Sequence, residues 1–138
     1  DSQHLAAELL VRLRPKVNRR PFSAIALAQD TSTITACGND FNFNKIFSRN
    51  LEALGHKKDT LIAISTSGNS KNIIEVLKAA KQKKIKSIGF YGNKGGKCRD
   101  LTDLSIIVKS KNTANIQEAH IFLGHFILSQ VENMLLKK

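Results

Sequence analysis

The sequence predicts an α/β fold in which a mostly parallel sheet is flanked by helices. Two observations carry this. Residues 60–91 read as one strand–loop–helix–strand unit, and a further strand at 104–108 is followed by a long helix. Strands that alternate with helices in this way pair in parallel and are covered by their crossovers.

In chain order, Ser2–Arg14 has Leu5, Leu9, Leu10 and Leu13 at helical spacing, and Pro15 stops the pattern. Lys16–Pro21 is a basic loop. Ser23–Ala28 (SAIALA) is a short apolar run that suits a buried strand. Thr31–Cys37 is expected as a short helix punctuated by Gly38-Asn39-Asp40, and Asn44–Leu54 as a second helix closed by Gly55. Thr60–Ile64 is a strand, Ser65–Ser70 a polar loop, and Lys71–Gln82 a helix with Ile73, Ile74, Val76 and Leu77 inward. Ile85–Tyr91 is the next strand, Gly92–Gly96 a turn, Cys98–Leu101 a helical turn and Leu104–Val108 a strand. Thr113–Leu136 is one long helix, apolar at Ile116, Ile121, Phe122, Phe126, Ile127, Val131 and Leu135. Four strands are expected, fewer than a doubly wound sheet usually has. The chain also opens on Asp1 inside a helical pattern, so a longer natural product is expected.

Composition narrows the function classes. No segment is long and apolar enough to span a membrane, and no secretory pattern opens the chain. The formal net charge is +11, from 22 Lys and Arg against 11 Asp and Glu, which admits an anionic partner. The basic residues are dispersed, and few aromatics interleave to stack bases, so a solvated basic surface is favoured over a nucleic-acid footprint. Cys37 and Cys98 stand alone without metal-ligand spacing, and free thiols of a reducing cytoplasm are expected.

The loop Ser65-Thr66-Ser67-Gly68-Asn69-Ser70 has the chemistry of a phosphate cradle. It joins a parallel strand to a helix N-terminus, where unpaired N–H groups and the positive dipole end attract anions. Ser65, Thr66, Ser67 and Ser70 add hydroxyl donors, and Gly68 permits a tight turn. Simple helix capping by Asn69 or Ser70 is the competing explanation, though one cap needs one such residue. The loop lacks a G-K-[ST] signature, which argues against nucleotide hydrolysis.

A second constellation lies near the two ends of the chain. His4 and Glu8 are spaced i, i+4, and Gln117 and His125 i, i+8, so each pair lies near one helix face. Two imidazoles, a carboxylate and an amide oxygen could hold zinc or a similar ion, but spacing alone is equally that of solvated surface pairs. His56 and His120 have no evident partner.

With these residues assembled, the sequence resembles the sugar isomerase (SIS) domain superfamily, and within it the bacterial phosphoheptose isomerases. The resemblance is carried by HLAAEL at 4–9, GNDFNFNKIFSR at 38–49, ISTSGNSKNII at 64–74 and IQEAHIFLGH at 116–125. It implies a three-layer, flavodoxin-like sandwich, with residues 1–138 as one SIS domain. Relative to the family pattern, an N-terminal helix, a first strand and a Gly-Asn-Gly-Gly-Ser loop are absent. It further implies one Zn²⁺ per subunit at His4, Glu8, Gln117 and His125, with Glu8 and His125 as the acid/base pair. Asn39, Asp40, Ser65, Thr66, Ser67, Ser70 and Gln117 then line the substrate site, with Arg12 a basic group near it. The implied activity converts sedoheptulose 7-phosphate to D-glycero-D-manno-heptose 7-phosphate in a cytoplasmic homotetramer with sites between subunits. The alternative is a non-catalytic SIS protein that binds the replication initiator or senses sugar phosphates. The filled set of four ligand positions favours the enzyme.

Overall fold

The computed structural model describes residues 1–28 and 30–137. Helix α1 (Ser2–Ala7) runs without a break into a π-helical turn, Glu8–Arg12. Helix α2 (Thr31–Asp40) and a 3₁₀ turn at Phe43–Lys45 lead to helix α3 (Ile46–Leu54). Then follow strand β1 (Thr60–Ser65), helix α4 (Lys71–Gln82), strand β2 (Lys86–Gly92), a 3₁₀ turn at Gly96–Leu101, strand β3 (Leu104–Val108) and helix α5 (Thr113–Leu136). The sheet has the order β1-β2-β3 and is parallel throughout, with Thr60 opposite Lys86 and Ile88 opposite Leu104.

β2 lies between the other two strands, and this dictates its composition. From Gly89 to Gly92 every residue is buried, whereas β1 alternates. Tyr91 points to the face packed by α3 and α4, in a core that includes Leu51, Ala63, Val76, Leu77, Ala80 and Cys98. Phe90 points the opposite way, to the ring of His120 on α5. On α5 the buried residues Ile116, His120, Gly124, Leu128 and Glu132 recur every fourth position, one stripe along one face.

Two expectations are corrected. Ser23–Ala28 is not a strand: among the described residues the sheet has three strands, not four. Residues 23–26 form no regular element and 27–28 form a turn, and two carbonyls of the segment are taken by side chains rather than by a ladder. Asn50 Nδ2 donates to Leu27 O at 3.0 Å and Gln3 Nε2 to Ala28 O at 3.1 Å. Its apolar composition also misleads, since Ile25 is exposed. The second correction is at Gly38-Asn39-Asp40, which does not end α2. The helix continues through Asp40, with Phe41 N–H on Cys37 O, because the N-cap carboxylate of Asp30 anchors its start and nothing crowds Gly38.

Arg14 and Arg19 also depart from the expected solvated surface: both guanidiniums reach the buried carboxylate of Glu132. The lysines at 78, 81, 84 and 86 are exposed as expected. Cys37 and Cys98 are free, and burial pushes the Cys98 thiol up to about 11.

His120 is 1 % exposed, and among the described residues neither ring nitrogen has a hydrogen-bond partner. Burial holds its pKa below the ordinary 6.5, against a smaller upward pull from the Tyr91 backbone. A depressed imidazole pKa means that below pH 6.5 the unfolded chain takes up a proton that the folded ring refuses. Stability should therefore fall as pH drops from 6.5 toward the folded value, by at most about 1.4 kcal/mol per pH unit. Urea midpoints at pH 7.5 and 5.5 test this: His120→Leu should show a shallower acid loss than wild type, and equal losses would remove His120 as the cause.

Candidate active site

The residues named at both ends of the sequence do converge. His4 Nε2 and His125 Nε2 lie 2.8 Å apart, with the rings edge to face, and His4 Nε2 is 3.4 Å from Glu8 Oε1. One ligand atom from each of His4, Glu8 and His125 lies within 4.8 Å of the other two. Helical spacing explains the first pair, since i and i+4 share a face. The third member arrives because α1 packs directly on α5. An added Cβ on Gly124 would lie 2.6 Å from Leu5 Cδ2, so the helices approach through a position without a side chain. Leu5 and Gly124 are the chain neighbours of His4 and His125. Two imidazole nitrogens and a carboxylate oxygen are the donor set a zinc-type ion takes, with positions left for water or substrate.

The polar loop occupies the carboxyl end of β1, where open parallel sheets bind ligands. Three of its hydroxyls bond within the loop. Ser65 Oγ and Ser70 Oγ are 3.0 Å apart, Gly68 N–H donates to Ser65 Oγ at 3.1 Å, and Asn69 N–H to Ser67 Oγ at 3.1 Å. Ser70 is the N-cap of α4 but makes no capping hydrogen bond. Capping by Ser70 therefore does not account for the loop; Ile73 N–H goes to Asn72 Oδ1 at 2.9 Å, and the amides of Lys71 and Asn72 remain for another acceptor. Gly68, at φ 64°, lies against the Gly95 backbone, and Cys98 N–H donates to Gly68 O at 2.9 Å. Asn69 Oδ1 takes Lys97 N–H at 3.1 Å, so two loops interlock. A Cβ on Gly92 would meet both Thr66 O and Ile116, which brings this loop to the first turn of α5, beside Gln117.

Other expected residues are placed less tightly. Gln117 is exposed, two turns before His125 on α5. Asn39 and Asp40 sit exposed at the end of α2, paired through Asn39 Nδ2 and Asp40 Oδ1 at 2.8 Å. Arg12 is exposed at the end of the π turn. None of these side chains hydrogen-bonds to the His4–Glu8–His125 group among the described residues. Sequence reasoning missed Gly124, Gly92 and the Arg19–Glu132 pair. Glycine on the core stripe of an otherwise apolar helix was the one available signal for close approach.

The SIS domain family signature matches residues 1–92. The chain is 50% identical over 132 residues to the phosphoheptose isomerase of Paramagnetospirillum magneticum, spanning 96% of this chain and 68% of that protein. The chain belongs to the phosphoheptose isomerase family. The Helicobacter pylori member is 46% identical, over 96% of this chain and 68% of its own. The solved phosphoheptose isomerase of Neisseria gonorrhoeae superposes with a TM-score of 0.89 at 40% identity, covering 96% of this chain and 70% of that one. That of Francisella tularensis gives 0.84 at 39%, covering 89% and 65%.

One glycine of this chain, Gly124, admits the α1–α5 contact and another, Gly68, the interlock of the two loops, and each has a distinct expected failure. Gly68→Ala should cost roughly 1–2 kcal/mol for the left-handed backbone alone, plus a collision with the Gly95 carbonyl. Thermal unfolding should show that loss. Gly124→Val should instead push α1 off α5 while the sheet survives. Far-UV CD should stay close to wild type while the His4 and His125 ring resonances lose their mutual shift. Retention of that shift would argue that Gly124 is dispensable for the approach.

Proposed function

We propose that this phosphoheptose isomerase interconverts sedoheptulose 7-phosphate and D-glycero-D-manno-heptose 7-phosphate at a site between α1, α5 and the Ser65–Ser70 loop. The observation that carries the site is the convergence of His4, Glu8 and His125 across the α1–α5 contact. The 138 residues are taken as one SIS domain.

In this reading the phosphate rests on Ser65, Thr66, Ser67 and Ser70 and on the uncapped first turn of α4. The strain-free, interlocked loop presents these groups already arranged, so binding energy far from the reacting carbons serves to position them. Asn39, Asp40, Gln117 and Arg12 contact the sugar chain or its anionic end. The reaction moves one hydrogen from C1 to C2 and one between the two oxygens. A base takes the C1 proton, an enediol forms as the C2 oxygen gains a proton, and the steps reverse with C2 protonated and the C1 oxygen deprotonated. Glu8 and His125 fill these roles: one works at carbon, the other between the oxygens.

His4, Glu8 and His125 would hold Zn²⁺, with Gln117 as a further oxygen ligand. The ion, when bound, polarises the substrate oxygens as a Lewis acid. A carboxylate or imidazole tied to an ion is a poor base at that moment, so either Glu8 or His125 would be released to take a proton or the ion alone would serve the oxygens. The exposed apolar residues Phe122, Phe126, Met134 and Leu135 on α5 support packing against further copies, as a homotetramer. No helix among the described residues is long and apolar enough to cross a membrane. A cytoplasmic setting accords with a sugar-phosphate substrate and two free buried thiols.

Turnover of sedoheptulose 7-phosphate, with zinc and after chelation, is the direct test. Zinc-dependent conversion is expected; a folded chain with no turnover and no metal binding would overturn the proposal. Glu8→Gln and His125→Gln should lose most of kcat with CD spectra intact, and wild-type rates in either would sink that assignment. Ser67→Ala should chiefly raise KM, by the equivalent of roughly 1–3 kcal/mol for a lost charge-assisted hydrogen bond. An unaltered KM would place the phosphate elsewhere.

A further inference from the structure

Behind the candidate site lies a group of charges that touches none of its side chains. Glu132 on α5 is 1 % exposed and takes Arg14 Nε at 2.6 Å and Arg19 Nε at 2.5 Å. Burial pushes its carboxyl up, but the two guanidiniums outweigh this and hold it below the ordinary value. Such a group gives little net stability, because desolvation offsets attraction. Its geometry is more informative. Arg19 uses every guanidinium nitrogen: Nη2 donates to Glu8 O at 2.8 Å, and Nη1 to Leu9 O and Arg20 O at 3.0 Å each. The Phe22 ring lies 4.4 Å beneath the guanidinium carbon, and Phe22 N–H adds a second donor to Leu9 O at 3.1 Å.

The carbonyls of Glu8 and Leu9 belong to the π turn, a wide turn of a kind often found at functional sites. Glu132 follows His125 by seven residues, two turns along nearly the same face of α5. A single side chain therefore ties the backbone of Glu8 to the helix that carries His125. Leu5 against Gly124 and His4 against His125 are the ties nearer the N-terminus of α1. Those contacts alone would leave the turn beyond them free to pivot, whereas the bonds to Glu8 O and Leu9 O fix its rotation.

We infer that Arg19 and Glu132 form a positioning clamp that holds Glu8 opposite His4 and His125, so that the site's metal affinity depends on an ion pair remote from its ligand atoms. This rests on the reading of those three residues as metal ligands. Arg14 is the outer arm, more exposed and bonded to Glu132 alone.

Zinc affinity of the full chain, by competition with a chromophoric chelator, is read beside Tm for wild type, Arg19→Lys, Glu132→Gln and Arg19→Met/Glu132→Leu. The last variant removes the two fully buried charges together and leaves only the more exposed Arg14 arm, which can turn to solvent, so folding is retained. Lysine can still pair with Glu132 but has no planar fork to reach Glu8 O and Leu9 O as well. Arg19→Lys and the double variant should keep Tm near wild type yet bind zinc about 10- to 100-fold more weakly, the range seen when groups supporting metal ligands are lost. Cobalt(II) spectra should show altered ligand-field bands in both. A merely structural pair would lose Tm and zinc affinity together, and lysine would restore both. Folded variants with wild-type zinc affinity overturn the clamp, provided His4→Ala weakens zinc. Wild type that binds no zinc overturns the ligand assignment, and the clamp's role with it.

Discussion

The distance between α1 and α5 governs this molecule's chemistry. Helices ordinarily pack with axes 8–10 Å apart, held off by their side chains. At Gly124 there is no side chain to hold α1 away, and Leu5 fills the space. That one contact brings together residues 121 positions apart in sequence, His4 and His125, to 2.8 Å. Without it, Glu8 and His4 would be a solvated pair on a short helix, where a single ion pair counts for little. A six-residue α-helix is too short to persist on its own, so α1 takes its order from α5, Glu132 and Arg19.

The sheet supplies the complementary half. Because β1 and β2 are parallel, their carboxyl ends open on the same edge, and the loops that follow them meet. There Ser70 leaves the first amides of α4 uncapped by its own side chain, and the hydroxyls of Ser65 and Ser70 lie beside them. Close approach at Gly92 extends this edge to α5. The Ser65–Ser70 loop and the histidine cluster therefore share α5 as a common wall.

Much of this was legible in the chain. Lys71–Gln82, Leu104–Val108 and Thr113–Leu136 have the boundaries expected from periodicity and punctuation, since each is long or strongly patterned. The Ser65–Ser70 loop was legible because hydroxyls crowd around a glycine in a way that no cap requires. His4, Glu8 and His125 were legible as a set only through family resemblance, because spacing says nothing about contacts between distant helices. SAIALA misled because apolar composition favours burial without guaranteeing it, and strandhood depends on a ladder partner that the segment lacks among the described residues. The Arg19–Glu132 pair spans 113 residues and looks, in sequence, like two more surface charges.

The interlock of Gly68 with Gly95 and Gly96 bears on how such a cradle could be transplanted. A Cβ on Gly68 would meet the backbone of Gly95, and one on Gly96 the backbone of Gly68, so neither of these two accepts a side chain. Their shape is thus mutual: residues 65–70 fold as they do because 95–98 lie on top of them. A designer who copied only S-T-S-G-N-S onto another strand–helix junction would inherit the hydroxyls without the conformation. The transferable unit is two strands and both of their following loops, about forty residues rather than six.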